Sequence, residues 1–295
     1  MPLQFEPGEK FSYSNTGYKL LHDVIRKASG KPLEEYLHEK ILTPLGMKDT
    51  GVLERPGIRH LIVKGLAAGY TDGVGPLEIA PWVHRSYGGG IYSTVEDLHL
   101  WGRAFFTDQL LPRRVLEAAL TPVKANYGYG WFIFDRTKHR FVLHGGNIPG
   151  SAVTLAVYPE EKAVIVVASN LDTAPTGPIH DDLARILFGE EYQLPPAWKE
   201  VAVDPAIYDD YVGRYQGTSD PKFVITITKE NERLWNRLGD DPGAATMVLR
   251  PLSATKYFNK MFVLYKATFV KDATGRVSSL VAEGPWGKRT LTKVK

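Results

Sequence analysis

Tyr13 and Asn15, separated by one serine, and His144, followed by two glycines, are the residues whose types and spacing suggest chemistry. Acyl transfer needs a nucleophile, a group that carries its proton, and donors aimed at the developing oxyanion. A tyrosine hydroxyl titrates near pH 10 in water, so Tyr13 could carry a proton at neutral pH only beside a cation that lowers that value. Asn15 can both donate to and accept from an amide or ester. It also stands where a first helix should begin, so it reads equally well as a helix N-cap. His144 reads as the end of a strand, where an imidazole serves either as a structural hydrogen-bonder or in a site. Gly146 would let an extended ligand lie along that strand. Other chemistries have no support. No Gly-x-Ser-x-Gly elbow occurs, and the eight histidines show no His-Glu-x-x-His or other metal-ligand spacing. No metal and no cofactor is expected.

These residues sit within an ordered series. Pro7-Gly8-Glu9-Lys10-Phe11-Ser12-Tyr13-Ser14-Asn15 is followed by Gly17-Tyr18, then by Thr43-Pro44-Leu45-Gly46-Met47-Lys48-Asp49-Thr50. Gly88-Gly89-Gly90-Ile91-Tyr92-Ser93-Thr94 precedes Asp97 and Trp101. Tyr127-Gly128-Tyr129-Gly130-Trp131 and His144-Gly145-Gly146 with Pro149-Gly150 complete it. The series resembles the penicillin-recognising serine hydrolases, which include class C β-lactamases, D-alanyl-D-alanine carboxypeptidases and esterases of the same fold. It covers about residues 1 to 190. The resemblance implies that Tyr13 is the proton carrier and that Asn15 orients the acyl chain. It further implies that His144 stands at the Lys/His-x-Gly element and that the backbone N–H of Asn147 is an oxyanion donor. It also implies a nucleophilic Ser with a Lys three residues later, ahead of Tyr13. No such pair lies in residues 1–12. Ser219-Asp220-Pro221-Lys222 and Ser253-Ala254-Thr255-Lys256 fit the spacing but follow the other motifs, and read as chance matches. Between His144 and Gly146 the family usually has a hydroxyl residue that helps hold a substrate carboxylate. Gly145 stands there instead, which favours neutral esters or amides over carboxylate-bearing substrates.

The elements that must position these residues can be read from periodicity. A helix is predicted over Asn15 to Ser29, with Leu20, Leu21, Val24, Ile25 and Ala28 inward and Gly30 closing it. Pro32 starts a second helix to Ile41. Residues 51–87, rich in Gly and Pro, read as a loop-rich lobe. Ser93 and Glu96 read as a capping box for a helix over 95–107, and Pro112 starts another to Leu120. From Tyr129 the period becomes two, predicting antiparallel strands at 129–135, 139–144, 151–158 and 163–169. A helix at 178–188 should pack Ile179, Leu183, Ile186 and Leu187 against them. The fold class expected is α+β: a β-lactamase/transpeptidase-like domain, antiparallel sheet with flanking helices and N-terminally incomplete, over residues 1–190. Residues 191–206 read as a Pro-containing linker. Over 207–295, alternating runs at 223–228, 245–252, 260–270, 276–282 and 288–294 suggest a small barrel or sandwich. With Tyr211-Val212-Gly213-Arg214-Tyr215 ahead of them, they resemble a lipocalin-like module.

Composition narrows the partners. The chain has 295 residues, 43% hydrophobic and 23% charged, with no cysteine, so neither disulfides nor thiolate chemistry is available. No apolar run is long enough to span a membrane, and residues 1–12 are too polar for a secretory signal. Residues 206–295 carry 15 Lys+Arg against 9 Asp+Glu, a net of +6, whereas residues 1–205 carry 21 against 24, a net of −3. The basic charges are scattered rather than clustered, so no nucleic-acid partner is expected. The expected partner is a small acyl, ester or peptide substrate. Three functions follow: part of a serine hydrolase, inactive as it stands for want of a nucleophile; a ligand-binding homologue without turnover; or a targeting protein acting through its β module. A missing nucleophile helix would leave an apolar seam and favour oligomers.

Overall fold

The computed structural model describes residues 5–52, 65–71, 78–79, 90–107, 109–135, 138–192, 194, 197–240, 246–259, 265–284 and 286–294. They fall into two compact units. The first comprises residues up to 71, then 79–172 and 179–189; the second holds residues from 190 onward together with 72–78 and 173–178. Most of the loop-rich stretch expected at 51–87 lies outside the described residues.

Helix α1 (Asn15–Ser29) has the predicted bounds, and Gly30 closes it in the left-handed conformation at φ 73°. Its cap is Ser14, whose hydroxyl accepts from the Gly17 N–H, so Asn15 is the first helical residue and not the N-cap. The stripe turned inward also differs from expectation. Tyr18, His22, Ile25 and Ser29 are half-buried, whereas Leu20, Leu21, Val24 and Ala28 are exposed, Leu20 by 60%. The Tyr18 hydroxyl finds a polar partner in Tyr127, and that contact rather than hydrophobicity sets the helix rotation. The second helix is three short pieces: α2 (Leu33–Leu37), a π-helical turn His38–Leu42 and α3 (Thr43–Leu45). Leu42, Leu45 and Met47 form a small core with Ala104.

Short strands follow at β1 (Gly51–Val52), β2 (Tyr70–Thr71), β3 (Glu78–Ile79) and β4 (Ile91–Tyr92), with β1 antiparallel to β4. Helix α4 (Val95–Arg103) is capped by Thr94, whose side chain accepts from the Asp97 N–H; the expected Ser93–Glu96 box does not form. Ser93 instead bonds the Thr50 hydroxyl at 2.7 Å, and buried Asp97 accepts from the Asp49 N–H and the Thr50 hydroxyl. This network pins the chain after α3 to the start of α4, and it satisfies an otherwise costly buried carboxylate. Helix α5 (Arg113–Ala119) starts after Pro112 as expected.

The main sheet is antiparallel with order β5 (Phe132–Phe134), β6 (Phe141–Ile148), β7 (Ser151–Tyr158) and β8 (Ala163–Ser169). Alternation gives it two apolar faces. Ile133, Val142, Leu155 and Val157 meet Phe105, Leu116, Leu120 and Trp131 on the α4–α5 side. Ala156, Tyr158 and Ile165 meet Ala184 and Phe188 on the side of helix α6 (Thr176–Leu187). Gly102 allows the close approach of α4 to β8, since a Cβ there would lie 2.6 Å from the Val164 side chain. The face of α6 is a further correction. Ile179, Leu183, Ile186 and Leu187 point outward, and the helix buries Thr176 and His180. The His180 Nε2 lies 2.9 Å from the buried Tyr158 hydroxyl, and pairing these two polar groups selects the helix face.

The second unit contains a closed eight-stranded antiparallel barrel, which decides between the barrel and the sandwich. Its strands are β9 (Gly213–Gly217), β10 (Val224–Glu230), β11 (Arg233–Leu238), β12 (Thr246–Pro251), β13 (Lys256–Phe258), β14 (Lys266–Lys271), β15 (Val277–Gly284) and β16 (Gly287–Val294). Strands β9, β11 and β13 lie outside the alternating runs that the sequence shows. The ring closes where β16 pairs with β9, Leu291 opposite Gly217. Tyr211, Tyr215, Ile225, Leu234, Tyr257, Phe269 and Leu280 fill its core. Residues ahead of the barrel also lie on it: the Val201 N–H donates to the Pro251 carbonyl, and Glu200 pairs with Arg250.

Candidate active site

Three pieces of chain converge around His144: the segment leading into α1, the turn before β5, and β6. Ser14 caps α1 in an extended conformation, and this holds Tyr13 just outside the helix. The Tyr13 ring then lies 6.1 Å from the His144 ring, 6.1 Å from Tyr127 and 6.5 Å from Phe132, centroid to centroid. Ala125 and Asn126 turn the chain at positive φ, and the Ile133 N–H donates to the Asn126 carbonyl, which fixes Tyr127 against β5. The Tyr127 hydroxyl stands 3.0 Å from that of Tyr18 and 3.2 Å from His144 Nε2. His144 Nδ1 lies 2.9 Å from the Gly145 carbonyl.

His144 does not end its strand as expected. Strand β6 continues to Ile148, and His144 pairs with Leu155 of β7 in its middle. Strand β5 stops earlier, with Phe132 opposite Leu143. Beyond His144 the β5-side edge of β6 therefore has no strand partner among the described residues. Gly145, Gly146 and Asn147 are exposed there. Nothing stands within 4 Å of a Cβ built on Gly146, whereas one on Gly145 would meet the Val153 carbonyl at 3.2 Å. The Asn147 side chain is occupied, donating to the Asp172 carbonyl at 2.5 Å. That leaves its backbone, not its amide, for a ligand.

Of the expected residues, the structure brings Tyr13 and His144 together and sets Gly146 and Asn147 along the open edge. Asn15 lies exposed on the first turn of α1, and its amide bonds no described residue. Both Ser-x-x-Lys matches fall in the barrel unit. Ser253 and Lys256 share a turn in which the serine hydroxyl accepts the Thr255 and Lys256 N–H groups, and Ser219 lies in the turn between β9 and β10. Tyr18, Tyr127 and Phe132 also belong to the cluster around His144, although nothing in the sequence marks their role. The Tyr127-Gly128-Tyr129 run was visible, but a tyrosine before a strand carries no mark of its partner 17 residues later.

Among the described residues no cation contributes to the shifts of Tyr13, Tyr127 or His144. Burial, and then the neighbouring Tyr18, push the Tyr13 phenol above its ordinary value, and Tyr127 is pushed further the same way. Burial lowers His144 below the ordinary imidazole value, while its bond to the Gly145 carbonyl acts in the opposite sense. At neutral pH all three groups are uncharged. Among the described residues no His, Asp and Glu group has a metal-binding arrangement.

A β-lactamase family model matches residues 1–189. The chain belongs to the β-lactamase family. It is 33% identical over 281 residues to penicillin-binding protein 4* of Bacillus subtilis, covering 86% of this chain and 60% of that one. It is 32% identical over 156 residues to the D-alanyl-D-alanine-carboxypeptidase/endopeptidase AmpH of Escherichia coli, covering 52% of this chain and 36% of that one. The chain thus spans less than two thirds of the length of these relatives. Among solved structures, the octameric penicillin-binding protein homologue from Pyrococcus abyssi aligns with a TM-score of 0.57 and 25% identity, over 98% of this chain and 66% of that one. This β-lactamase-family chain therefore carries the β-lactamase/transpeptidase-like fold followed by a closed barrel, and its family is one of serine hydrolases.

Proposed function

We propose that the first unit supplies the substrate-side half of a serine acyl hydrolase acting on uncharged esters or amides. The carrying observation is that Tyr13 and His144 meet beside the unpaired edge of β6. In this reading Tyr13 moves the proton, Asn15 and the β6 edge hold the acyl group, and the Asn147 N–H faces the oxyanion. Gly145 offers no hydroxyl for a carboxylate, which favours uncharged substrates. Relatives named as carboxypeptidase, endopeptidase and D-aminopeptidase support amide-bond chemistry. Tyr13 has neither a serine hydroxyl nor a cation as partner among the described residues, and its phenol is pushed up rather than down. The same observation favours binding without turnover as the second reading for this chain alone. Accordingly a fluorophosphonate probe should leave this chain unlabelled, and p-nitrophenyl acetate should turn over at background. Stoichiometric labelling of any serine would overturn the claim.

The exposed stripes of α1 and α6 point to association. Leu20, Leu21 and Val24 on α1, and Leu183, Ile186 and Leu187 on α6, are all exposed, an arrangement that usually marks an interface. Light scattering across a concentration series should show oligomers, and Leu20→Gln with Val24→Gln should shift them toward the monomer. A parent chain that stays monomeric at every concentration would remove this part of the proposal.

A further inference from the structure

We propose that Tyr127, backed by Tyr18, is the specificity-determining residue that keeps His144 uncharged and so closes the site to carboxylate-bearing ligands. This rests on the acyl-site reading above. The donor assignments follow from chemistry. A carbonyl can only accept, so His144 Nδ1, 2.9 Å from the Gly145 oxygen, carries the hydrogen. A neutral imidazole then has a bare Nε2, which accepts from the Tyr127 hydroxyl at 3.2 Å. With its hydrogen used, Tyr127 accepts in turn from the Tyr18 hydroxyl at 3.0 Å. The chain of donors runs Tyr18 to Tyr127 to His144 to Gly145, and both ring nitrogens are engaged. Protonating Nε2 would place a hydrogen against the Tyr127 hydroxyl and force both hydroxyl hydrogens to reorient.

The titratable groups facing His144 do not offset this. Tyr127 comes from the turn before β5 and Tyr13 from the segment ahead of α1, both of them phenols. Strand β5 presents Phe132, and β7 presents Leu155 opposite. Among the described residues no carboxylate, Lys or Arg is paired with His144. Burial lowers its proton affinity in the same sense as the Tyr127 donor, while the bond to the Gly145 carbonyl acts the other way. A carboxylate arriving at the open edge of β6 would thus meet no positive charge from His144 or from any other described residue paired with it, whereas an amide or ester would lose nothing by its absence. Tyr127 itself is buried and walled by Phe11, Phe132 and Tyr13, so it acts through His144 and does not need to touch the ligand.

The test uses the full chain, with the His144 ring followed by NMR and assigned through His144→Gln. The wild-type midpoint should lie below 6.5, and Tyr127→Phe, which keeps the ring and loses the donor, should raise it by about half a unit or more. Tyr18→Phe should raise it less, and provides the second variant should Tyr127→Phe unfold. Two probes of one shape, hexanamide and hexanoate, read the consequence. At about pH 7.5 hexanamide should shift the Tyr13 and His144 signals and hexanoate should not. Hexanoate binding should appear as pH falls through the His144 midpoint, and at a higher pH in Tyr127→Phe. A midpoint unchanged or lowered in both variants, or hexanoate binding as tightly as hexanamide at about pH 7.5, overturns the proposal and leaves the acyl site standing. If the midpoints move as expected but neither probe reaches Tyr13 or His144, the acyl-site reading fails, and the specificity role falls with it.

Discussion

In a chain complemented by a fused segment that carries Ser-x-x-Lys, Tyr13→Phe should lower kcat on a small ester by about 10²–10⁴-fold, the usual worth of a positioned proton carrier. The expectation comes from where the ring sits. Tyr13 is held just ahead of α1 by the Ser14 cap and packs against Tyr127, Phe132 and His144. Phe keeps those ring contacts and loses only the hydroxyl, so the fold should be unaffected. In the present chain that hydroxyl lies in surroundings that raise its pKa. A cation delivered with the fused segment must reverse that shift before the phenol can take a proton at neutral pH. His144→Ala in the same protein should cost less on neutral esters, since the imidazole is itself uncharged. Steady-state kinetics on p-nitrophenyl acetate decide it. A Tyr13→Phe rate within about threefold of the parent would show that another group moves the proton.

Phe269→Ala should destabilise the barrel by about 3–5 kcal/mol, the range for removing a buried aromatic side chain. Phe269 is fully enclosed, stacks on Tyr211 at 4.4 Å, and touches the rings of Tyr215 and Tyr257. The ring fills the axis of a closed barrel, and closure prevents the strands from collapsing into the space it leaves. The loss therefore combines transfer and cavity terms. It should appear as a lower urea midpoint at unchanged slope for the transition reported by barrel tryptophans such as Trp235 and Trp286. A shift below about 1 kcal/mol would mean that the barrel relaxes around the gap, contrary to close packing. By contrast, Val270→Ala, one residue along and 38% exposed, should change little.

Local chemistry was legible in the residues themselves. The bounds of α1 follow from Ser29-Gly30, and α5 from Pro112. The four sheet strands follow from alternation, and the family from the order of its motifs. Each of these depends on neighbours within a few positions, which is the range over which caps, turns and side-chain period act. Three things were not legible, and each depends on a partner far along the chain. Which stripe of α1 and α6 faces inward was decided by single hydrogen bonds, Tyr18 to Tyr127 and His180 to Tyr158, that override apolar periodicity. Barrel or sandwich was decided by β16 pairing back onto β9, Leu291 opposite Gly217 and Val294 opposite Arg214, far along the chain. The sequence could name His144, but its burial and the groups at its two nitrogens, the Tyr127 hydroxyl and the Gly145 carbonyl, are set only by folding. Residue type fixes what a side chain can donate or accept; tertiary structure decides which group is there to answer it.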